Sequence, residues 1–378
     1  MGKNDPVIPL VHPVLDGNEL RYLAECIQSG WVSSKGSFVK RFENAMAKEC
    51  QVEHALALSS GTAALHLALL ATGISPGDEV LLPALTYIAD ANTVVYCGAK
   101  PVFVDIDPYT WNLDLAQLEG KITGRTKAIL AVHLYGHPVD MDVLSGIAEQ
   151  HGLIVIEDAC EAQGAEYKGH PVGTLGNAGC FSFYANKLVT TGEGGMLVTN
   201  SKELADKTRF LCNQAAFDDA YTHDAIGYNY RMSNLQAAVG LAQMERIKEF
   251  LQARKRMTEV YTALLEEIPG ISLYSEPGWS KSVCWLFSIL LDEEYGLTRN
   301  QLRSHLLKAG IESKPFFKPL PSLIPFFTDE PYPNSVRISE RGISLPSAVD
   351  LTEAQIEYIA ATIQQAPQQI SNQRNRNG

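Results

Sequence analysis

A single lysine, Lys187, lies between aromatic residues and a glycine-rich run in the segment FSFYANKLVTTGEGG at 181–195. The nearest acidic residue along the chain is Glu193, so the local sequence offers this lysine no close partner. A lysine in such a loop can form a Schiff base with a carbonyl compound or bind a phosphate as a point charge. The alternative is a solvated loop lysine, and these residues alone leave both possibilities open.

Two further segments carry polar groups that suit a bound ligand. In SSGTAALHLAL at 59–69, Ser, Gly and Thr precede a helical pattern, and the free N–H groups of a helix N-terminus bind anions. An ordinary N-cap is the alternative. The apolar pattern LIVIED ends in Glu157 and Asp158, an acid that could hold a protonated ring nitrogen, orient a histidine or bind a metal. An N-cap aspartate is the alternative there.

A fourth segment, GYNYRM at 227–232, joins aromatic, amide and guanidinium groups ahead of a long helical pattern. Arg231 suits a carboxylate or a phosphate, and Asn229 suits a fixed hydrogen bond, whereas capping and surface packing are the alternative. We predict no metal site, because no His or Cys lies near the acids of LIVIED with ligand spacing. The sequence also lacks a Walker lysine pattern and a GxGxxG motif, so the usual nucleotide loops are not expected.

These segments belong to a chain in which strand and helix patterns alternate between about residues 55 and 200. Short runs that are apolar on both faces predict buried parallel strands at 79–83, 101–105, 128–132 and 153–158. Helical patterns are predicted at 62–73, from about 113, and at 141–152. This alternation predicts an α/β large domain with a mostly parallel central sheet, whose ligands bind at the carboxyl ends of the strands.

The pattern changes at Ser233, where one or two long helices are predicted to run up to Pro269. Turn residues follow, and after them come a predicted strand at 283–291 and predicted helices at 298–310 and 352–365. We therefore predict three parts: a large domain at 1–268, a small α+β C-terminal domain at 269–366 and a disordered polar tail at 367–378.

Composition narrows the class of partner. The net charge of −12 over 378 residues argues against nucleic acid and against an anionic membrane. The seven cysteines are dispersed and show no CxxC pair, which is typical of reduced thiols. The N-terminus lacks the apolar core of a signal peptide, and no apolar run approaches the length of a membrane span. We therefore expect a soluble cytoplasmic protein.

Six segments taken together carry a resemblance to one family. They are SSGTAALHLAL, PALTYIADAN, VHLYGHPVDMD, IEDACEAQGAEYKG, FSFYANKLVTTGEGG and GYNYRMSNLQAAVGLAQ. In this order they resemble the DegT/DnrJ/EryC1/StrS sugar aminotransferases, and the resemblance runs from about Ile8 to about Ile363. It implies fold type I and pyridoxal 5′-phosphate (PLP) as cofactor, with pyridoxamine phosphate as the form that carries the amino group.

The resemblance also implies roles for individual residues. Lys187 and Asp158 are the implied catalytic residues, Lys187 as the amine that forms the Schiff base with PLP and Asp158 as the acid that pairs with the pyridine nitrogen. Tyr87 resembles the aromatic residue that stacks on the pyridine ring. Glu161 lies where such enzymes place a residue near the ring oxygen of the cofactor.

The phosphate of PLP is the second point of attachment that the resemblance implies. Gly61, Thr62 and Ser182 match its cradle, and the helix N-terminus at Thr62 supplies the physical reason. Asn229 resembles a residue that reaches the phosphate from the neighbouring subunit. The resemblance therefore implies a homodimer with shared active sites.

Within the family, three features favour amination of C4 on a GDP-linked 4-keto-6-deoxy sugar, with glutamate as the amino donor. They are GNELRYLAECIQSGWVSSKGSFVKRFE, TWNLD at 110–114 and HLYGHPVDMD. A UDP- or dTDP-linked keto sugar is the alternative substrate. A PLP-dependent sugar dehydratase is disfavoured because such enzymes carry histidine in place of Lys187. A non-catalytic regulator is disfavoured because the cofactor residues are intact.

The sequence departs from the family pattern mainly where the sugar nucleotide is expected. The substrate-binding residues that we predict are Arg231, Lys314 and Phe316, and Lys314 replaces an expected arginine. Pro321 replaces an expected histidine, and the loop NQAAFDDAYTHDAIGYNYRM lacks an expected segment with Arg and Trp. Ala185 stands where glycine is usual before Asn-Lys. These changes concern the sugar more than the cofactor.

Overall fold

The structure is a computed structural model that describes residues 7–216 and 222–377, with side chains up to residue 371. Its strands are β1 His54–Leu58, β2 Glu79–Pro83, β3 Lys100–Val104, β4 Thr126–Val132, β5 Ile154–Asp158, β6 Glu166–Tyr167, β7 His170–Pro171, β8 Ala178–Ser182, β9 Gly195–Thr199, β10 Ile271–Ser272, β11 Ser280–Lys281, β12 Ser288–Leu291, β13 Lys314–Pro315 and β14 Gly342–Ser344. Its α-helices are α1 Glu19–Ser29, α2 Ser37–Cys50, α3 Gly61–Ala71, α4 Ala89–Tyr96, α5 Leu115–Leu118, α6 Met141–His151, α7 Lys202–Cys212, α8 Asn234–Met244, α9 Ile247–Leu265, α10 Arg299–Lys308, α11 Pro333–Arg341 and α12 Glu353–Asn377.

The central sheet has the strand order β1-β9-β8-β5-β4-β2-β3. The pairs β2–β3, β2–β4, β4–β5 and β5–β8 are parallel, whereas β9 is antiparallel to both of its neighbours. The prediction of a mostly parallel central sheet in an α/β domain is therefore confirmed. The carboxyl ends of these strands meet at one edge of the sheet, where ligands of such sheets bind.

Helices cover both faces of the sheet, which explains why its strands carry apolar residues on both faces. Strand β2 is buried at every position. Val80 and Leu82 belong to a buried cluster that also contains residues of α3 and α4, while Leu81 belongs to a second cluster that contains residues of α2 and α6. Because successive side chains of a strand point to opposite faces, a strand between two helical layers needs apolar residues without alternation.

A second sheet, β10-β12-β14-β13, is antiparallel and packs against α9, α10 and α12. The N-terminal residues lie against this part of the molecule. The Ile8 N–H donates to the Gly310 carbonyl at 2.8 Å, and the Ser347 N–H donates to the Leu10 carbonyl at 2.7 Å. The predicted division at residue 268 stays a prediction, but residues 8–10, which it placed in the large domain, contact the C-terminal one.

The stretch predicted as a strand at 283–291 is a strand only in β12. Residues 283–285 instead form backbone hydrogen bonds with the loop at 135–136, which follows β4. The Val283 N–H donates to the Gly136 carbonyl at 3.2 Å, and the Trp285 N–H donates to the Tyr135 carbonyl at 3.0 Å. Cys284 between them has a φ of 47°, which no regular strand permits. This crossing brings Trp285 to the edge of the central sheet.

The tail predicted as disordered at 367–378 continues α12 through Asn377 instead. Pro367 lies inside this helix and cannot bond to the carbonyl of Ile363, four residues earlier. The Tyr295 hydroxyl donates to that carbonyl at 2.6 Å, which removes the usual cost of an unpaired group. The hydrogen bond from Tyr295 is a tertiary contact that the local composition does not reveal.

Candidate active site

A cavity of ≈ 410 Å³ opens at the carboxyl edge of the central sheet. Most of the residues predicted to bind a cofactor or a substrate line it: Gly61, Thr62, Tyr87, Asp158, Glu161, Ser182, Lys187 and Lys314. Its size is that of a small-molecule site. The fold therefore gathers residues from 61 to 314 around one space, as the order of the motifs predicts.

One end of the cavity is formed by the N-terminus of α3. The Ser60 hydroxyl caps the helix by accepting from the Ala63 N–H at 3.1 Å. A Cβ on Gly61 would lie 2.9 Å from both Cys160 Sγ and Ser182 Cβ, so only glycine lets the helix approach β8 this closely. The first-turn N–H groups have no acceptor within the helix, which makes this end an anion cradle.

The glycine-rich run after Lys187 packs against the same cradle. A Cβ on Gly195 would lie 2.3 Å from the carbonyl carbon of Ser60, so the two backbones are in direct contact. Gly192 has a φ of 80°, in the left-handed region that favours glycine. The run therefore holds the lysine loop and the anion cradle in one fixed arrangement.

Glu157, the first of the two acids of β5, faces away from the cavity. It is fully buried and lies 3.0 Å from His133 Nε2. Its carboxylate also accepts from the N–H groups of Gly173 at 2.7 Å, Leu175 at 2.6 Å and Gly176 at 2.6 Å. Of the roles predicted for the acids of LIVIED, Glu157 therefore has that of orienting a histidine. It also fixes the turn at 173–176, a role that the sequence does not indicate.

Asp158, the second acid, lines the cavity because adjacent residues of a strand point to opposite faces. One of its oxygens accepts from the Cys160 N–H at 2.8 Å. Among the described residues, no group of three His, Cys, Asp or Glu side chains is placed to hold a metal ion. The carboxylate is thus placed to meet a cationic group of an organic ligand.

Lys187 is almost buried, with 12% of its side chain exposed. Its Nζ lies 3.7 Å from Glu161 Oε1 and 3.7 Å from the centroid of the Trp285 ring. The indole is itself fixed, because its N–H donates to the Asn186 carbonyl at 2.8 Å. The lysine therefore has an acidic partner that its own loop does not supply, and the solvated-loop alternative is wrong.

Glu161 is held from the other side by the Tyr135 N–H, which donates to its Oε2 at 2.8 Å. Burial raises the pKa of Glu161, and the Lys187 ammonium opposes that shift. The charge of Glu161 in turn adds to the effect of burial in raising the pKa of Tyr135. The amine thus lies beside a carboxyl group whose charge depends on it.

Three predicted residues do not line the cavity. Asn229 is exposed, and the buried Nε of Arg231 finds no hydrogen-bond partner in the described residues. The prediction that Phe316 binds the substrate is wrong, because Phe316 is 3% exposed and its ring centroid lies 4.6 Å from that of Tyr135 in the core. Its neighbour Phe317 lines the cavity instead. The residues at 217–221 in the loop before GYNYRM lie outside the described part of the chain.

Several residues at the site were missed from the sequence. Trp285 lies within a run that resembles a strand, so nothing local distinguished it. Phe317 comes directly after the predicted residue Phe316. The alternation of side chains along the extended segment at β13 is the pattern that could have pointed to Phe317 instead. Asp90, buried behind Asp158, stands in TYIADAN only three residues after Tyr87. An acid in an otherwise apolar helix start was the sign that could have identified it.

Solved structures of similar fold support this description. One, DesI in the presence of its TDP-sugar product, superposes with a TM-score of 0.91 at 30% identity, covering 99% of this chain and 97% of that one. Another, the candidate sugar aminotransferase Spr1654 from Streptococcus pneumoniae in its PLP-form, has a TM-score of 0.91 at 29% identity, covering 96% and 99%. The fold is that of a PLP-dependent aminotransferase of fold type I.

Sequence comparison narrows the class. The DegT/DnrJ/EryC1/StrS aminotransferase family is matched over residues 13–364. The chain is 46% identical over 374 residues to GDP-perosamine synthase of Caulobacter vibrioides, covering 95% of this chain and 98% of the relative. It is 44% identical over 359 residues to GDP-perosamine synthase of Escherichia coli O157:H7, covering 94% and 97%. The chain belongs to the DegT/DnrJ/EryC1/StrS aminotransferase family.

The cofactor of this enzyme is PLP, and the residues present fit it. The cradle at Gly61, which any Cβ would fill, matches a phosphate. Asp158 supplies a carboxylate and Lys187 a sheltered amine, both facing the same cavity. No helix in the described ranges is both long and apolar enough to cross a membrane.

Proposed function

We propose that this aminotransferase moves an amino group from glutamate to C4 of a GDP-linked 4-keto-6-deoxy sugar, as a GDP-perosamine synthase. The observation that carries the proposal is the likeness to three such synthases, at 46%, 44% and 43% identity, each covering at least 94% of both chains. The cavity supports the same reaction class, because its sheltered amine faces a carboxylate and an anion cradle.

We propose that Lys187 and Asp158 are the catalytic residues. When bound, PLP supplies an aldehyde that accepts the amino group and a ring that takes up electrons. Asp158 keeps the pyridine nitrogen protonated by placing a negative charge beside it. Lys187, once its amine is free, carries the proton at the reacting carbon. Its place above Trp285 and beside Glu161 restricts that amine to one position.

The remaining cofactor contacts follow from where each side chain lies. Gly61, Thr62 and Ser182 hold the phosphate at the N-terminus of α3. Tyr87 lines the cavity with an exposed ring that can stack on the pyridine, and its own ring lies 5.7 Å from that of Phe317. Glu161, which also lines the cavity, would lie near the ring oxygen of PLP, as the family resemblance implies. For the sugar nucleotide we retain Lys314, which lines the cavity, and Arg231, which lies outside the cavity of its own chain; both are cations suited to a diphosphate.

The substrate is tested with a panel of GDP-, UDP- and dTDP-linked 4-keto-6-deoxy sugars, each supplied with glutamate and followed by mass spectrometry. We expect an aminated product with the GDP sugar and a turnover at least tenfold lower with the other two. A preference for the UDP or dTDP sugar would contradict the nucleotide assignment while leaving the reaction class intact. A product that has lost water instead of gaining an amine would indicate a dehydratase.

Lys187 is tested by reducing the holoenzyme with borohydride and mapping the modified peptide. We expect the cofactor adduct on Lys187, and a Lys187→Ala variant that loses roughly 10²–10⁴-fold in turnover because the proton carrier is gone. Lys202→Ala is the matched control, since the Lys202 side chain is 77% exposed and lies on α7. An adduct on another lysine would reject the assignment.

A homodimer is proposed because Asn229 is exposed and outside the cavity of its own chain. In such a dimer Asn229 reaches the cofactor phosphate of the other subunit. Mixing an inactive Lys187→Ala variant with an Asn229→Ala variant should restore activity, to at most about a quarter of wild type for random pairing of two subunits. If the mixture stays as inactive as its parts, Asn229 acts within its own subunit.

We also propose a cytoplasmic location. Its support is that all seven cysteines lie among the described residues and are free, as in a reducing compartment. Fractionation of cells that express the protein, followed by immunodetection, should find it with cytoplasmic markers. Recovery from a periplasmic or secreted fraction would contradict the proposal.

A further inference from the structure

Asp90 is a buried acid whose function the roles above leave unexplained. It lies in the first turn of α4 and has no exposed surface. The Thr86 hydroxyl donates to its Oδ2 at 2.5 Å. Its Oδ1 is buried and has no hydrogen-bond partner in the ranges described. An unpaired buried carboxylate oxygen is costly, so this atom requires a physical explanation.

The environment of Asp90 supplies that explanation. Asp90 is next to Asp158, because Thr86 and Ala89 line the same cavity as Asp158 and an interaction with the Asp158 carboxyl group raises the pKa of Asp90. Two ionised carboxylates cannot hydrogen-bond to each other, because each can only accept. Burial raises the pKa of Asp90 well above its usual value, and the charges of Asp158 and Glu161 raise it further. Burial raises the pKa of the Cys180 thiol, and the charges of Asp158 and Asp90 add to that shift, so Cys180 supplies no charge that would favour an ionised Asp90. Burial and the two acids therefore favour a neutral Asp90, and the hydrogen bond from Thr86 opposes that shift without reversing it.

We propose that Asp90 is a positioning residue that keeps a proton on Oδ1 and donates it in a hydrogen bond to Asp158. Asp158 then retains its negative charge for the pyridine nitrogen of PLP. Thr86 fixes the direction of the donor by occupying Oδ2, and the Cys160 N–H holds one oxygen of Asp158 at 2.8 Å. The proposal rests on the proposed role of Asp158.

Asp90→Asn is the first test, because an amide donates to Asp158 and accepts from Thr86 without needing a proton. We expect the holoenzyme of this variant to keep its PLP dissociation constant within about threefold and the pH midpoint of its cofactor absorbance unchanged. Asp90→Ala removes the donor and should weaken PLP binding about tenfold, in line with loss of one charge-assisted hydrogen bond. Rescue by Asn, and not by Ala, is the expected pattern.

A clear result would overturn the proposal. If Asp90 were ionised, Asp90→Asn would remove a negative charge near the cofactor, and the absorbance midpoint would move to lower pH by about one unit. Asp158→Asn separates the two proposals. If that variant binds PLP like wild type with an unchanged absorbance midpoint, the role of Asp158 fails, whatever Asp90 does.

Asp105 offers a matched control for folding. It is also buried, but it accepts from the N–H groups of Ile106, Asn334 and Ser335 and from the Ser335 hydroxyl. In Asp105→Asn the amide NH₂ group would point at one of these donors and leave it without an acceptor. Asp105→Asn should therefore lower the melting temperature much more than Asp90→Asn. Equal losses in the two holoenzymes would show that Asp90 is an ionised acceptor and would reject the proposal.

Discussion

At the scale of single residues, the anion cradle depends on the absence of one carbon atom. Any side chain on Gly61 would be forced against Cys160 and Ser182, both of which belong to the segments that carry the cofactor residues. Cys160 Sγ could rotate away, but Ser182 Cβ cannot, because it is fixed to its strand. The helix and β8 would have to separate to relieve the clash.

Gly61→Ala should therefore weaken PLP binding by tenfold or more, because the cradle opens while the rest of the fold remains. Equilibrium titration of the apoenzyme with PLP measures the loss. Gly146→Ala is the control, since Gly146 lies inside α6 with open space around its Cα. That change should stabilise the protein by about 0.5–1 kcal/mol and leave PLP binding unaltered. Unchanged binding in Gly61→Ala would contradict the cradle.

The sequence predicts the residues of this site unevenly, for a physical reason. Lys187 and Asp158 stand in segments whose local pattern already indicates a turn or a strand end. Trp285 and Asp90 reach the site through tertiary packing. Trp285 is brought there by the backbone hydrogen bonds of residues 283–285 with residues 135–136, and Asp90 lies on the buried face of α4. Phe316 and Phe317 directly follow β13, and neighbouring side chains of an extended segment point to opposite sides. A prediction that is wrong by one residue therefore names the residue in the core, Phe316, in place of the residue at the cavity, Phe317.

At the scale of elements, β5 shows how one strand serves two purposes. Its period of two places Asp158 at the cavity and Glu157 in the opposite layer, where three N–H groups and a histidine surround it. The turn at 173–176 is thus tied to the strand by a carboxylate. This tie fixes the segment that leads directly into β8.

Glu157→Gln should destabilise the protein by about 1–3 kcal/mol, because the amide turns a donor toward N–H groups that need an acceptor. Chemical denaturation of the holoenzyme measures the change. Glu119→Gln is the control: Glu119 is 53% exposed and pairs with His151, so the loss should stay below about 1 kcal/mol. Similar losses for the two variants would mean that the turn does not depend on the carboxylate.

Elements with strong local patterns were predicted well, and those decided by distant contacts were not. Strand β2 matches its predicted bounds at 79–83, and α6 ends where Gly152 adopts a φ of 64°. The helix predicted from about 113 is only Leu115–Leu118 and one further turn. The polar composition of the tail predicts disorder from residue 367, whereas the partner that satisfies the Ile363 carbonyl, the Tyr295 hydroxyl, lies in another part of the chain.

At the scale of the whole molecule, His137 marks the junction between the large domain and the segment that leads into the small one. Its ring lies 4.8 Å from that of Tyr274 and 6.3 Å from that of Trp279. Burial lowers the pKa of His137 to about 4, and the neighbouring His133 adds to this shift. The native junction therefore favours a neutral imidazole.

This pKa predicts acid sensitivity with a definite sign. The unfolded chain binds a proton near pH 6.5 and the native one only near pH 4, so stability is lost as pH falls through that window. The contribution is at most about 1.4 kcal/mol per pH unit. His137→Phe removes the titrating group, and its free energy of unfolding should fall less steeply from pH 6.5 to 4. Parallel curves for the two proteins would contradict this.

The hydrogen bonds of residues 8–10 have a consequence for how the chain is made. The Leu10 N–H donates to the carboxylate of Glu312, 302 residues further along. At a synthesis rate of about 5–20 residues per second, Leu10 leaves the ribosome roughly 15–60 s before its partner exists. The central sheet therefore has time to form while residues 8–10 still lack their hydrogen-bond partners. The hydrogen bonds of residues 8–10 can therefore form only after residues 310–347 have left the ribosome, later than the pairing of the strands within the central sheet.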